Sequence, residues 1–186
     1  LEGGWELKKM RQGNDPMWYE WAKDNLKEGD AIGFDPYLVP QGTVEQRQKF
    51  LDEAGIKLKS VDQNLVDEIW GEEQPHWPVT CVSIHNEKFH GRTVGKNMKE
   101  IMDKVEEKKG DAILVPRLDE IAWLTNLRGQ DIPYNPLFYS YAVVYKKDDA
   151  YVTRLYIDEL KTKNVGEYLK DNNIEIAPYM QVFDDL

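Results

Sequence analysis

Cysteine is almost absent from this sequence, which has only Cys81 among its 186 residues. A single cysteine cannot form a disulfide within the chain, and this fits a reducing compartment. The sequence also has no apolar run of about twenty residues and no basic-then-apolar leader, so we predict neither a membrane span nor a signal peptide in it. These absences favour a cytoplasmic protein without a membrane partner.

Basic residues are in the minority, since 24 Lys and Arg stand against 34 Asp and Glu and give a formal charge of −10. Negative charge repels the phosphates of nucleic acids, so we predict no nucleic-acid partner. An acidic surface can attract basic proteins such as histones, but it most often keeps a protein soluble.

The sequence lacks the motifs of several common catalytic sites. It contains no GxSxG, HExxH or GxGxxG motif and no phosphate loop with a following lysine. Paired acids such as those at 72–73 and 106–107 fall in predicted turns or helix ends, so we interpret them as solvated charge. No catalytic residue is predicted.

Three candidate zinc ligands, Cys81, His85 and His90, lie within ten residues. Structural zinc sites use four ligands, usually as two close pairs, and only the isolated His76 remains as a fourth. We therefore favour surface histidines beside a buried cysteine and predict no metal site. An independent metal-binding module stays the alternative.

Helices and short strands alternate in the first part of the chain, with Thr43 and Asn64 as expected helix caps. The predicted elements are a strand at 3–10, a turn at 11–15, a helix from 16 to about 26, strands at 31–34 and 56–61, and helices at 44–54 and 65–70. This order is typical of an α/β domain.

The stretch 71–78 has two prolines, two acids and no hydrophobic periodicity, so we predict a boundary between a domain at 1–76 and one at 77–186. The second domain alternates in the same way. Its predicted elements are a helix at 94–105, a strand at 112–115, a helix at 119–128, an antiparallel hairpin of strands at 137–145 and 151–157, a helix at 165–169 and a strand at 174–177.

The most distinctive stretch is 118–144, LDEIAWLTNLRGQDIPYNPLFYSYAVV. Two acids open its predicted helix, where negative charge favours the positive end of the helix dipole. Arg128 stands at the far end, and we expect Gly129 to close the helix in a left-handed conformation. Pro133 and Pro136 then keep the chain extended up to the next strand.

Residues 119–136, DEIAWLTNLRGQDIPYNP, resemble the start of the second domain of the three-domain Xaa-Pro aminopeptidases (aminopeptidase P) of the creatinase/prolidase superfamily. The resemblance extends to LEGGWELKKM at 1–10 and NLVDEIW at 64–70, so it covers nearly the whole chain. It implies an α/β fold of two creatinase N-terminal-like domains, each a mixed β-sheet flanked by helices. It also implies that the first domain is truncated at its N-terminus, so an upstream fragment or an intermolecular partner is expected at the open sheet edge.

Enzymes of this family remove the N-terminal residue from peptides with proline in second position, using two divalent metal ions, commonly manganese, in a C-terminal catalytic domain. The resemblance implies that this chain is a non-catalytic N-terminal region of such a metallopeptidase, inactive alone. The implied role is to restrict the active site to short proline-containing peptides and to support a homodimer. The implied partner is the catalytic domain of the same polypeptide, which holds the metal.

Creatinase-like modules also occur in non-enzymatic proteins such as the large subunit of the histone chaperone FACT. The charge of −10 is compatible with a protein-binding module of that kind. The acids are dispersed along the chain instead of gathered in one tail, and the NLRGQDIPYNP stretch resembles the peptidase branch.

Arg128 and Asp131 are the one pair singled out as a candidate site. An ion pair between them can brace the loop that follows the helix. Alternatively, Arg128, Asp131 and Asn135 form a substrate-access loop that contacts peptide near the mouth of the active site. Tyr134 belongs to the same surface, whereas Phe138 is expected in the core. The sequence leaves both interpretations open.

Overall fold

The computed structural model describes residues 4, 7–9, 13 and 15–186. The chain divides into two compact units, Leu1–Pro75 and His76–Leu186, so the division falls inside the proline-rich break. The predicted strand at 3–10 and turn at 11–15 lie partly outside the described residues. None of the helices in the described ranges is both long enough and apolar enough to cross a lipid bilayer.

The first unit contains two strands that pair in parallel and are connected by a helix. Its elements are α1 (Trp18–Asn25), β1 (Ala31–Phe34), α2 (Gln41–Asp52), β2 (Lys57–Ser60) and α3 (Leu65–Trp70). Strands β1 and β2 run parallel from the Ala31–Lys57 pair to the Phe34–Ser60 pair. Ala22, Leu51 and Ile56 form its small buried core. The β-α-β arrangement of this part is therefore confirmed.

Of the two helix caps predicted in the first unit, one is confirmed and one is wrong. Asn64 caps α3 as expected, because its side-chain oxygen accepts hydrogen bonds from Val66 N and Asp67 N. The prediction for Thr43 is wrong, since α2 begins after Pro40, whose carbonyl accepts a hydrogen bond from Thr43 N at 2.9 Å. Pro40 stands at the N-cap position with an extended ψ of 137°, and it provides no side-chain cap.

The second unit is built on a four-stranded mixed sheet. Its elements are β3 (Ser83–Ile84), α4 (Glu87–His90), α5 (Val94–Glu107), β4 (Ala112–Val115), α6 (Leu118–Thr125), β5 (Leu127–Arg128), β6 (Tyr141–Lys147), β7 (Ala150–Tyr156), α7 (Gly166–Asp171), β8 (Ile174–Ala177) and α8 (Val182–Asp185). The strand order is β4-β6-β7-β8, with antiparallel pairs except for the parallel pair β7-β8. The mixed sheet and the predicted hairpin are thus confirmed, and β3 pairs separately with β5.

Helices α5 and α6 cover one face of this sheet and form the main core. Met98 and Met102 of α5 belong to the same buried cluster as Ala142 and Val144 of β6. Alternate residues of a strand point to opposite faces, so Tyr141 faces away from this core. Each fully buried large apolar side chain contributes about 1.5–3 kcal/mol, which makes this packing the main stabilising term of the unit.

The end of α6 differs from the prediction. The helix was expected to run to Arg128, but it stops at Thr125, and Asn126 takes the left-handed conformation with φ 52°. Asparagine tolerates this region better than most residues, and here its Nδ2 also donates to Arg92 O at 2.9 Å. Leu127 and Arg128 are therefore extended and pair with β3.

Gly129 is needed for close packing and not as a helix cap. A Cβ atom at this position would lie 2.6 Å from Phe138 Cβ, closer than real Cβ atoms approach, and at a tight 3.0 Å from Leu137 O. The predicted strand at 137–145 starts later, at Tyr141, because the backbone before it bonds back to the loop: Asp131 N donates to Leu137 O at 3.1 Å.

Two variants of Asn126 should separate its backbone role from its side-chain role. Asn126→Gly keeps access to the left-handed conformation and loses the bond to Arg92 O, so we expect a loss of about 1 kcal/mol in unfolding free energy. Asn126→Ala loses both and should cost about 1–2 kcal/mol more. Native-state amide exchange of β6 measures both values, and equal losses would contradict the left-handed requirement.

Candidate functional site

A surface groove of about 680 Å³ lies between the loop 128–136 and the segment 80–83. We call it the loop groove. Arg128 and Asn135 contribute to one wall, and Cys81 and Ser83 contribute to the other. The pairing of Ser83 with Arg128 at the end of the β3-β5 ladder joins the two walls.

The tip of the loop is a strained turn. Pro133 and Tyr134 are its central residues, and Asn135 N donates to Ile132 O at 3.1 Å. Tyr134 has φ 63°, the conformation that a type II turn requires at this position and that glycine or asparagine usually supplies. Such strain costs about 1–3 kcal/mol and concentrates at functional sites.

The loop residues divide into exposed and buried ones. Tyr134 and Asn135 are exposed, and the Tyr134 side chain is fully open to solvent. Phe138 is buried in the core, as expected. Tyr134 at the loop tip therefore combines a left-handed backbone with a side chain that is open to solvent.

The base of the loop is fixed by a buried ion pair between Asp131 and Lys161. Lys161 Nζ lies 2.5 Å from Asp131 Oδ2, and the two side chains are 3% and 0% exposed. The same Oδ2 accepts from Tyr139 N at 2.7 Å. The predicted ion pair between Arg128 and Asp131 is therefore wrong, because the buried lysine occupies the carboxylate and Arg128 donates elsewhere.

Lys161 holds both walls of the loop groove. It belongs to the 3₁₀ turn Glu159–Thr162 that follows β7. Its ammonium binds Asp131 at the base of the loop, and its carbonyl accepts from Val82 N, in the opposite wall, at 2.9 Å. The geometry of the groove thus depends on one residue that the sequence analysis did not single out.

Arg128 brings positive charge to the loop groove and has no carboxylate partner among the described residues. Its Nη1 donates to Ala122 O at 2.7 Å and to Leu127 O at 2.8 Å. Burial lowers the pKa of the guanidinium, although an arginine stays protonated at neutral pH. Within the described part of the chain Arg128 forms no ion pair, so its charge can attract an external anion.

The three candidate zinc ligands do not gather into a site. Cys81 is exposed, contrary to the expectation of a buried cysteine, and its Sγ donates to Leu160 O at 3.6 Å. His85 stacks on Phe89 with 5.7 Å between the ring centres. Desolvation, then Arg128 and His90, lower the pKa of His85. No group of three His, Cys, Asp or Glu residues that could hold a metal ion occurs among the described residues.

Removing one partner of the buried pair should strongly destabilise the second unit. Lys161→Met leaves the Asp131 carboxylate buried and unpaired, and we expect a loss of about 3–5 kcal/mol. Adding Asp131→Asn removes the charge and should recover most of that loss. Native-state amide exchange of β6 reports the free energy of unfolding of this unit.

The matched control is Lys99→Met, which breaks the exposed pair of Lys99 with Asp103 at 2.7 Å. Surface pairs contribute little, so exchange should stay unchanged within error. Equal losses for Lys161→Met and for the double variant would contradict the unpaired-charge explanation.

Comparison with known proteins gives three consistent similarities. The Creatinase/Prolidase N-terminal domain family matches residues 73–186. Proteins described as probable Xaa-Pro aminopeptidase P from Sordaria macrospora and Pyricularia oryzae are 41% and 39% identical to this chain over its whole length. The crystal structure of X-prolyl aminopeptidase from Caenorhabditis elegans superposes with a TM-score of 0.83 and 33% identity over 97% of this chain.

The chain is much shorter than the proteins it resembles. It spans 30% of the length of each of the two fungal proteins and 29% of the Caenorhabditis elegans protein. That last protein is described as a cytosolic enzyme with a di-nuclear active site.

Proposed function

Since this chain belongs to the creatinase/prolidase N-terminal domain family, we propose that it is a non-catalytic N-terminal region of a metal-dependent Xaa-Pro aminopeptidase. The whole enzyme removes the N-terminal residue from peptides with proline in second position. The observation that carries this proposal is the similarity of the full chain to two fungal proteins described as Xaa-Pro aminopeptidase P. We assign residues 1–76 to the end of a first creatinase-like domain and 77–186 to a second.

We propose that the two divalent metal ions, manganese in this assignment, belong to a catalytic domain in the remainder of the same polypeptide. The di-nuclear active site described for the Caenorhabditis elegans relative supports a two-metal site. Two metals activate a water molecule and polarise the scissile carbonyl, so this chemistry needs no nucleophilic side chain. We also propose a cytoplasmic location, which the description of the relative as cytosolic supports. We further propose that the whole enzyme is a homodimer.

The role proposed for this chain is to control access of short peptides to the active site through the loop groove. Arg128 offers a positive charge that forms no ion pair with the described residues, and Asn135 and Tyr134 lie exposed on the same loop. A short peptide carries a C-terminal carboxylate within a few residues of its scissile bond. We propose that Arg128 binds this carboxylate, with Asp131 positioning the loop.

The non-enzymatic alternative, a histone-binding module, rests on the occurrence of creatinase-like modules in such proteins and on the net charge of −10. We do not adopt it, because the relatives named above are peptidases. Retention of core histones by this chain at raised salt would revive it.

Peptidase assays of this chain and of the full polypeptide test the proposed function. With manganese and a fluorogenic Xaa-Pro peptide, the chain should give no turnover above blank, because the metal ligands lie elsewhere. The full polypeptide should cleave the same peptide. Turnover by the chain alone, or none by the full polypeptide with bound metal, would contradict the assignment.

Arg128→Gln in the full enzyme tests the access role. Loss of a charge-assisted hydrogen bond should raise KM for a free-acid peptide about tenfold with kcat unchanged, since binding is lost equally in ground and transition states. A C-terminally amidated peptide should show no such change. Arg128→Lys keeps the charge and should restore part of the affinity.

Arg117→Gln is the control for this experiment, because Arg117 is an exposed arginine paired with Asp119 at 3.2 Å and Glu120 at 3.5 Å. It should leave both KM values unchanged. If Arg128→Gln weakens free-acid and amidated peptides equally, Arg128 acts through the fold and does not bind the carboxylate.

A further inference from the structure

Five aromatic rings of the second unit form a continuous surface cluster. Trp77 lies with its ring centre 5.4 Å from those of Tyr139 and Tyr179, and Tyr141 lies 5.1 Å from Tyr179 and 5.9 Å from Phe183. We call these five residues, with the neighbouring Met180, the aromatic patch. Tyr141 belongs to the face of β6 opposite the core, so the patch lies on the side of the sheet away from α5 and α6.

Three side chains of the aromatic patch are largely exposed to solvent. Trp77 is 61% exposed, Met180 54% and Phe183 43%. Burial of one aromatic side chain removes about 150–250 Å² from water, so a contiguous group of this kind normally meets a partner. A cavity of about 280 Å³ between Trp77, Tyr139 and Tyr179 offers a place for an inserted side chain.

The last residues of the chain run along this patch and are held firmly. Helix α8 carries Phe183 and is anchored by the buried Val182. Asp185 accepts from Tyr156 OH at 2.9 Å and pairs with Arg154 at 3.3 Å. Polypeptide that continues beyond Leu186 therefore leaves from a fixed point beside the patch.

We propose that the aromatic patch is the docking surface for the catalytic domain of the same polypeptide. This rests on the proposed function and on the length of the relatives, of which this chain spans 30%. A domain tethered at residue 186 is present at an effective concentration of about millimolar, so a modest apolar contact is enough to hold it.

The acids around the patch define the chemistry of the partner surface. Asp158 lines the cavity beside Trp77, and Asp184 follows Phe183 directly. The partner surface therefore needs an apolar centre to cover the rings of the patch. It also needs Lys or Arg at its rim, so that these two carboxylates are paired. Such a contact fixes the second unit, and with it the loop groove, relative to the active site.

Amide exchange of residues 178–185 compares the 186-residue chain with the full polypeptide at equal concentration. Docking should slow exchange of this segment about tenfold or more in the full polypeptide, while residues 87–90 of α4 should exchange equally in both. The first unit is present in both samples, so it cannot account for a difference.

Trp77→Ser and Met180→Ser in the full polypeptide should each reverse the slow exchange of residues 178–185. Phe89→Ser is the matched control, because Phe89 is 69% exposed and its ring contacts His85 and Lys88 instead of the patch. It should leave the protection intact. Two substitutions at separate positions keep the test valid if one of them disturbs folding.

Equal exchange in the two samples would overturn the proposal. Protection that rises with protein concentration in the 186-residue chain would also overturn it, since the occupant would then be a second copy. A peptidase assay on the same full polypeptide separates the two proposals: cleavage without protection refutes the docking surface alone, and protection without cleavage refutes only the proposed function.

Discussion

The ion pair between Lys161 and Asp131 is the contact on which the rest of the candidate site depends. It joins the loop after α6 to the 3₁₀ turn after β7, and both side chains are almost fully buried. Asp131 Oδ1 has no hydrogen-bond partner among the described residues, so the pair is not fully compensated. Burying two charges costs several kcal/mol per ion before they attract each other. Such a pair contributes little net stability, and what it provides is one fixed geometry for the loop.

This fixed base explains how the loop tolerates two unfavourable features. Tyr134 occupies a left-handed conformation, and Arg128 is partly desolvated without an ion-pair partner among the residues described. Either feature would relax in a loop free to move, because strained conformations persist only where the surroundings impose them. Gly129 adds to the constraint, since the loop passes against Phe138 at a distance that only a glycine permits. The base of the loop is thus held in one geometry, while its strained tip is exposed to solvent.

The sequence predicted the regular elements well, because their signals are local. The strands at 112–115 and 174–177 and the hairpin between them follow from apolar patterns that need no distant partner. The predicted end of α6 was wrong because the Asn126 side chain bonds to Arg92, a residue 34 positions earlier. The local sequence, with Arg128 followed by Gly129, has the pattern of a helix end. The prediction of an ion pair between Arg128 and Asp131 was wrong for a similar reason, because the actual partner, Lys161, is 30 positions away in sequence.

The position of the chain's single thiol has a practical consequence. Cys81 is exposed and stands on the wall of the loop groove that faces Arg128 and Asn135. An exposed thiol reacts with maleimide and iodoacetamide reagents, so one dye or spin label can be attached to this chain at a known place without any cysteine substitution. A label there reports directly on whether the opposite wall moves. Because the chain has a single cysteine, a spectroscopic label can be attached selectively to the loop groove.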